Sequence, residues 1–128
     1  DIDDEELILS AKEAVRLNAS AIAISVYIGT EHQHQTLLTL AEAINEAAEY
    51  DLPVLGVTAV GKKLKDKKEK RYLALASRIV AEYGADLVKT YYCDGFSEVV
   101  AKCPAPIVIA GGPKLETYED VLNLTYKA

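Results

Sequence analysis

Five amphipathic stretches alternate with four short apolar runs along this chain. Leu7, Ile8, Ala11, Ala14 and Val15 recur at three- and four-residue spacing and predict a helix over 4–17. Asp3, Asp4, Glu5 and Glu6 lie where that helix would begin, and negative charge suits the positive end of a helix dipole. The run Ala21-Ile-Ala-Ile-Ser-Val-Tyr-Ile28 is almost wholly apolar, as in a strand covered on both faces. A second helix, over 33–50, carries Leu37, Leu40, Ala41, Ile44 and Ala48 on one face. Pro53 ends it and opens a strand over 54–60. After a basic loop come a helix over 71–83 closed by Gly84, a strand over 86–92 and a short helix over 95–102 stopped by Pro104. A strand over 106–110 and a helix over 117–126 complete the pattern. Thr117 with Asp120 three residues on resembles a capping box, with Asp in place of the usual Glu.

Helices and strands that alternate in this way imply an α/β fold of parallel strands joined by right-handed crossovers. Four such strands fit an open doubly wound sheet or half of a (βα)8 barrel. The pattern begins and ends on a helix, which favours a unit cut from a longer (βα) series over a self-contained open sheet. The expectation is a single partial barrel domain over 1–128. Composition agrees with one packed domain: half of the 128 residues are hydrophobic and 27% are charged, which excludes a disordered tail. No apolar stretch approaches the roughly 18 residues of a membrane helix. The acidic N-terminus is unlike a secretory signal. A net charge of −6 argues against a general nucleic-acid binder. Two cysteines, Cys93 and Cys103, suit a reducing cytoplasm better than a disulfide scaffold. The absence of Met and Trp fits an excised or trimmed segment.

Lys89 is the main chemical anomaly, because it interrupts an apolar strand near its C-terminal end. In parallel α/β folds that end of the sheet carries the active site. A desolvated lysine is a nucleophile for carbonyl carbon, so one reading is a Schiff-base lysine. The other is a strand-end lysine whose head reaches into water. Gly111-Gly112 directly follows the last strand; it is either a turn or a loop whose backbone N–H groups approach a phosphate. The run from Gly61 to Arg71 holds six lysines and one arginine against two acids, and reads as a solvated loop or a cationic rim for an anionic substrate. It has no interleaved aromatics for base stacking. Glu31, His32 and His34 follow the first strand without further ligands at metal-binding spacing, so no metal is expected. His34 is better read as a proton-transfer or substrate-contact group. Tyr27, Tyr91 and Tyr92 read as packing residues with hydroxyls at the water edge, and Cys93 as a small buried hydrophobe.

The stretch Ala85-Asp-Leu-Val-Lys-Thr-Tyr-Tyr92, followed by Cys103-Pro-Ala-Pro-Ile-Val-Ile-Ala-Gly-Gly-Pro-Lys114, resembles the archaeal-type class I aldolase family. The resemblance spans essentially the whole chain and implies a (βα)8 barrel, of which these strands would be the fourth to the seventh. It makes Lys89 the Schiff-base lysine and Gly111 and Gly112 the phosphate loop. Members of the family typically carry Tyr-Pro-Arg-Gly after the fifth strand, with the Tyr as acid/base. The matching stretch here is Thr58-Ala-Val-Gly61, with Thr58 in the tyrosine's place. That departure, with Tyr27-Ile-Gly29, Glu31 and His34-Gln35, resembles the branch that thiolyses phosphorylated autoinducer-2.

The resemblance thus implies a carbon–carbon lyase or acyltransferase on a small phosphorylated ketone. Lys89, His34 and Thr58 would do the catalysis, while Gly111, Gly112 and Glu31 would contact substrate or phosphate. No cofactor is implied, with coenzyme A as the acyl acceptor if the chemistry is thiolytic. Alternatives are a fructose-bisphosphate aldolase or heptulosonate synthase, and a non-catalytic half-barrel. A receiver-type signalling module ranks below these, because Tyr27-Ile28-Gly29 and Tyr91-Tyr92 occupy the strand ends where it needs acids. A half-barrel exposes two sheet edges, so a homo-oligomer is expected, with no nucleic-acid or membrane partner and a cytoplasmic location.

Overall fold

The computed structural model describes residues 4–60, 69–110 and 117–127. In chain order the elements are α1 (Ala11–Arg16), β1 (Ile22–Ile28), α2 (Gln33–Ala48), β2 (Val54–Val60), α3 (Lys70–Glu82), β3 (Leu87–Tyr91), α4 (Ser97–Lys102), β4 (Ile107–Ala110) and α5 (Tyr118–Lys127). The alternation matches the expected order. The strands form one parallel sheet in the order β1-β2-β3-β4.

That order separates the two candidate architectures. A doubly wound sheet reverses its strand order partway and carries helices on both faces. Here each strand pairs with its sequence neighbour and no reversal occurs. Right-handed crossovers all stepping the same way put their helices on one face, which is how a (βα) barrel is wound. Burial follows the strand period of two: Ile24, Val26 and Ile28 of β1, Val54 and Thr58 of β2, and Val88 and Thr90 of β3 are buried. They face Leu40, Ala43 and Ala47 of α2 and Ala76 and Val80 of α3 in the main core. A smaller core joins Leu73 and Ala74 to Cys93, Phe96 and Val99. The other face of the sheet carries Ser25, Tyr27, Val57, Ala59, Lys89, Tyr91 and Val108 and is only partly covered. This is the inner face of the sheet.

Helix α3 lies directly on β2 at Gly56. A Cβ there would sit 2.1 Å from Val80 Cγ1, so only glycine admits this approach. At the opposite end from the site, the Asp86 carboxylate accepts from Val54 N at 2.8 Å and ties β2 to the start of β3.

The first helix is shorter than its periodicity predicts. It starts at Ala11, and residues 4–9 run exposed alongside it in sequence, with Ile8 97% accessible. The physical reason is Ser10, whose side chain accepts from Glu13 N at 3.1 Å. Ser10-Ala-Lys-Glu13 is a capping-box sequence, and it sets the start after the acidic run rather than within it. At the other end of the chain the Thr117 cap forms as expected. Asp120 N donates to Thr117 Oγ1 at 3.1 Å, while Thr117 N donates to Asp120 Oδ2 at 3.2 Å. Among the described residues, no helix is long and apolar enough to cross a membrane.

Candidate active site

Lys89 stands at the middle of β3, paired with Val57 of β2 and Val108 of β4. Val57 pairs in turn with Ser25, so Ser25, Val57, Lys89 and Val108 form one layer across the inner face. One layer nearer the C-terminal end stand Tyr27, paired with Ala59, and Tyr91, paired with Ala110. Ala59 and Tyr91 each lie two residues beyond the Val57–Lys89 pair, so the two tyrosines flank Ala59 above the lysine. Lys89 is half-buried, and among the described residues its amine has no hydrogen-bond or ion-pair partner.

Thr58 is on the wrong face for the role expected of it. Its hydroxyl is hydrogen-bonded to Thr90 Oγ1 at 2.9 Å and lies 3.3 Å from the Lys89 carbonyl oxygen as donor. Thr58 and Thr90 are 3% and 1% exposed, sealed between the sheet and the helices. Thr90 adjoins Lys89 in β3, so the strand's alternation points their side chains to opposite faces. The β2 position that shares the inner face above Lys89 is Ala59, whose methyl group has no proton to move.

The loop after β1 is held by local hydrogen bonds. Gly29, at φ 79°, donates its N–H to Gln33 Oε1 at 2.8 Å, and Tyr27 N donates to Thr36 Oγ1 at 3.3 Å. These bonds start α2 at the C-terminal rim of the sheet and leave Glu31 and His34 exposed there. Neither makes a hydrogen bond or ion pair with Lys89. His32 lies 3.6 Å from Asp4 and 4.0 Å from Glu31, so the acids beside it contact this imidazole rather than His34. Gly111 and Gly112 lie outside the described residues, as do residues 61–68 of the basic run.

Beyond β3 the chain turns through Gly95, at φ 70°. Lys70, from the first turn of α3, lies across this turn and forms an ion pair with Glu98 of α4. The ammonium hydrogen-bonds Glu98 and holds its carboxyl below the usual carboxylate range. Burial pushes the Cys93 thiol up, against the opposing pull of the Lys70 charge. Cys93 is therefore packing, in line with the expectation. The Tyr92 and Phe96 rings, 5.5 Å apart, close the same turn.

From the sequence alone, Tyr27 and Tyr91 read as packing residues. The two-residue step from Lys89 to Tyr91 already put both on one face. Tyr27 required the register between strands, which no spacing in the sequence reveals. The Tyr27 hydroxyl donates to the exposed Glu5 carboxylate, in the segment that precedes α1.

The model of the DeoC/LacD family of aldolases matches residues 1–128. The chain is 47% identical to the 3-hydroxy-5-phosphonooxypentane-2,4-dione thiolase of Yersinia pseudotuberculosis serotype O:1b over 129 residues, covering 100% of this chain and 43% of that one. The thiolase of the same name from Yersinia pestis strain Pestoides F is also 47% identical, over 99% of this chain and 43% of its own length. Among solved structures, a Schiff-base-forming fructose-1,6-bisphosphate aldolase superposes with a TM-score of 0.90 at 31% identity, over 95% of this chain and 51% of that one. An archaeal fructose-1,6-bisphosphate aldolase, with its catalytic Lys bound to a carbinolamine intermediate, gives 0.89 at 31% identity over 94% and 50%. The chain spans less than half the length of these curated relatives and about half of these solved ones. Its four parallel strands and their helices are part of a TIM barrel.

Proposed function

We propose a function from the premise that this chain belongs to the DeoC/LacD family of aldolases. It supplies the Schiff-base lysine of a carbon–carbon lyase or acyltransferase acting on a small phosphorylated ketone. The diketone phosphate named for its 47%-identical relatives is the first substrate to test. The observation that carries this reading is Lys89: a half-buried amine on the inner face of a parallel sheet, without a partner among the described residues. Its nitrogen adds to the substrate carbonyl, and loss of water gives an iminium. That cation accepts the electron pair released when the adjacent carbon–carbon bond breaks. If the acyl fragment leaves on a thiol, coenzyme A is the second substrate.

His34 and Glu31, exposed on the C-terminal rim, are the proposed substrate contacts. Gly111 and Gly112 are the proposed phosphate loop. Thr58 has no part in the proton transfers, because its hydroxyl faces the helices. Fructose-bisphosphate cleavage is the second reading, supported by the superposition on aldolases at 31% identity.

The test is reduction with borohydride in the presence of dihydroxyacetone phosphate, followed by peptide mass mapping. A phosphorylated adduct on Lys89, absent from Lys89→Ala, is expected. A folded chain that gives no adduct would overturn the reading.

A further inference from the structure

Iminium chemistry at Lys89 needs a group that takes and returns a proton beside the substrate. Among the described residues of the inner face, few side chains qualify. The lysine's own layer offers Ser25 and two valines, and the layer above offers Tyr27, Tyr91 and two alanines. Thr58 faces away, and His34 stands on the rim in α2. The two phenols differ in one respect. Tyr27 already donates its hydroxyl proton to the Glu5 carboxylate, while no hydrogen bond of the Tyr91 hydroxyl is found among the described residues. A phenol can accept a proton near neutral pH when it passes its own to a stronger base at the same moment. Of the two, Tyr27 alone has such a base in contact among the described residues, and Glu5 is exposed to water, so the proton has an exit.

We propose that Tyr27 is the proton-transfer residue of this site, with Glu5 as its relay. The inference rests on the Schiff-base reading of Lys89. The two Cα atoms are two strands and two residues apart, roughly 12 Å by ordinary sheet spacing. Both positions lie on the inner face, and a substrate held on Lys89 would span the interval between them. In the step itself, the Tyr27 oxygen takes a proton from the carbon next to the iminium carbon as its own proton moves to Glu5. The pair of the broken C–H bond forms the C=C bond of an enamine, and the iminium π pair returns to nitrogen. The reverse step returns the proton to carbon, so no oxidant or reductant is consumed.

Deuterium wash-in tests this apart from Schiff-base formation. Dihydroxyacetone phosphate is incubated with the chain in D2O, exchange at the hydroxyl-bearing carbon is followed by NMR, and borohydride trapping on Lys89 is measured in parallel. In Tyr27→Phe, trapping should match the unsubstituted chain while exchange falls by ~100-fold or more, the usual scale of general acid–base catalysis. Glu5→Gln should lower exchange less and change its dependence on pH. Exchange at the unsubstituted rate in Tyr27→Phe overturns the proposal, as does a loss confined to Tyr91→Phe. Loss of both trapping and exchange in Tyr27→Phe makes the residue a shaper of the site and also overturns it. If the unsubstituted chain itself is not trapped, the Schiff-base reading fails and takes this one with it.

Discussion

Gly56→Ala puts the packing of α3 on the sheet to a direct test. The added methyl group would sit 2.1 Å from Val80 Cγ1 and 3.2 Å from Ala85 Cβ. Carbon atoms in contact prefer about 3.5–4 Å, so Val80 has to retreat by roughly 1.5 Å. Val80 is fully buried, so either its side chain or α3 itself must shift to make room. Overpacking of this kind costs ~1–3 kcal/mol. Replacing glycine also restricts the unfolded chain, which returns ~0.4–1 kcal/mol. The net loss expected is therefore ~1–2 kcal/mol, read as a lower urea midpoint with an unchanged slope. A second variant separates the clash from other causes. Val80→Ala alone removes two buried carbons and should cost ~2 kcal/mol. In the double variant the two alanines no longer collide, so the cost should fall short of additivity by at least ~1 kcal/mol. A Gly56→Ala chain as stable as its parent, or strictly additive losses, would refute the contact.

Two further outcomes follow from the site's surroundings. Thr58→Val leaves Thr90 Oγ1 without its buried partner and should cost about 1 kcal/mol in urea unfolding, while trapping on Lys89 stays unchanged; weaker trapping in a folded variant would restore Thr58 to the chemistry. Burial raises the Cys93 thiol above its ordinary value near 9, so the folded chain holds that proton longer than the unfolded one. The contribution is complete below that ordinary value and is lost as pH rises through the folded one. Urea midpoints measured from pH 8 to 10.5 should therefore fall less steeply in Cys93→Ala than in the parent, and equal slopes would contradict the assignment.

The fold was legible in the sequence wherever one strong local signal stood alone. Four apolar runs between amphipathic stretches gave the order of elements, and Thr117 with Asp120 marked the last helix start. Two signals competed at the first helix. The acidic run 3–6 and the apolar residues Leu7 and Ile8 suggested an early start, but one hydroxyl at Ser10 decided it. Lys89 was visible because a charge inside an apolar run has few innocent explanations. The face of Thr58 was not visible, because a motif match assigns positions along the chain and says nothing about the side of the sheet. A one-residue offset in a strand exchanges the two faces, so Ala59 and Thr58 have opposite surroundings. Tyr27 stayed hidden for a related reason: its place above Lys89 depends on two strand pairings, with β2 as the intermediary.

The unreversed strand order has a kinetic consequence as well. Every strand pairs with its immediate successor, at a separation of 32 residues for the first two pairings and 19 for the third. No loop spanning the whole chain has to close before any pairing is rewarded, which lowers the entropic barrier to a first structured pair. Growth can begin at β1 and β2, which share the longest pairing, and extend one unit at a time. Amide protection should accordingly be deepest in β1 and β2, which pair along their whole length under α2, and shallowest in β4 and in α5, which buries no residue.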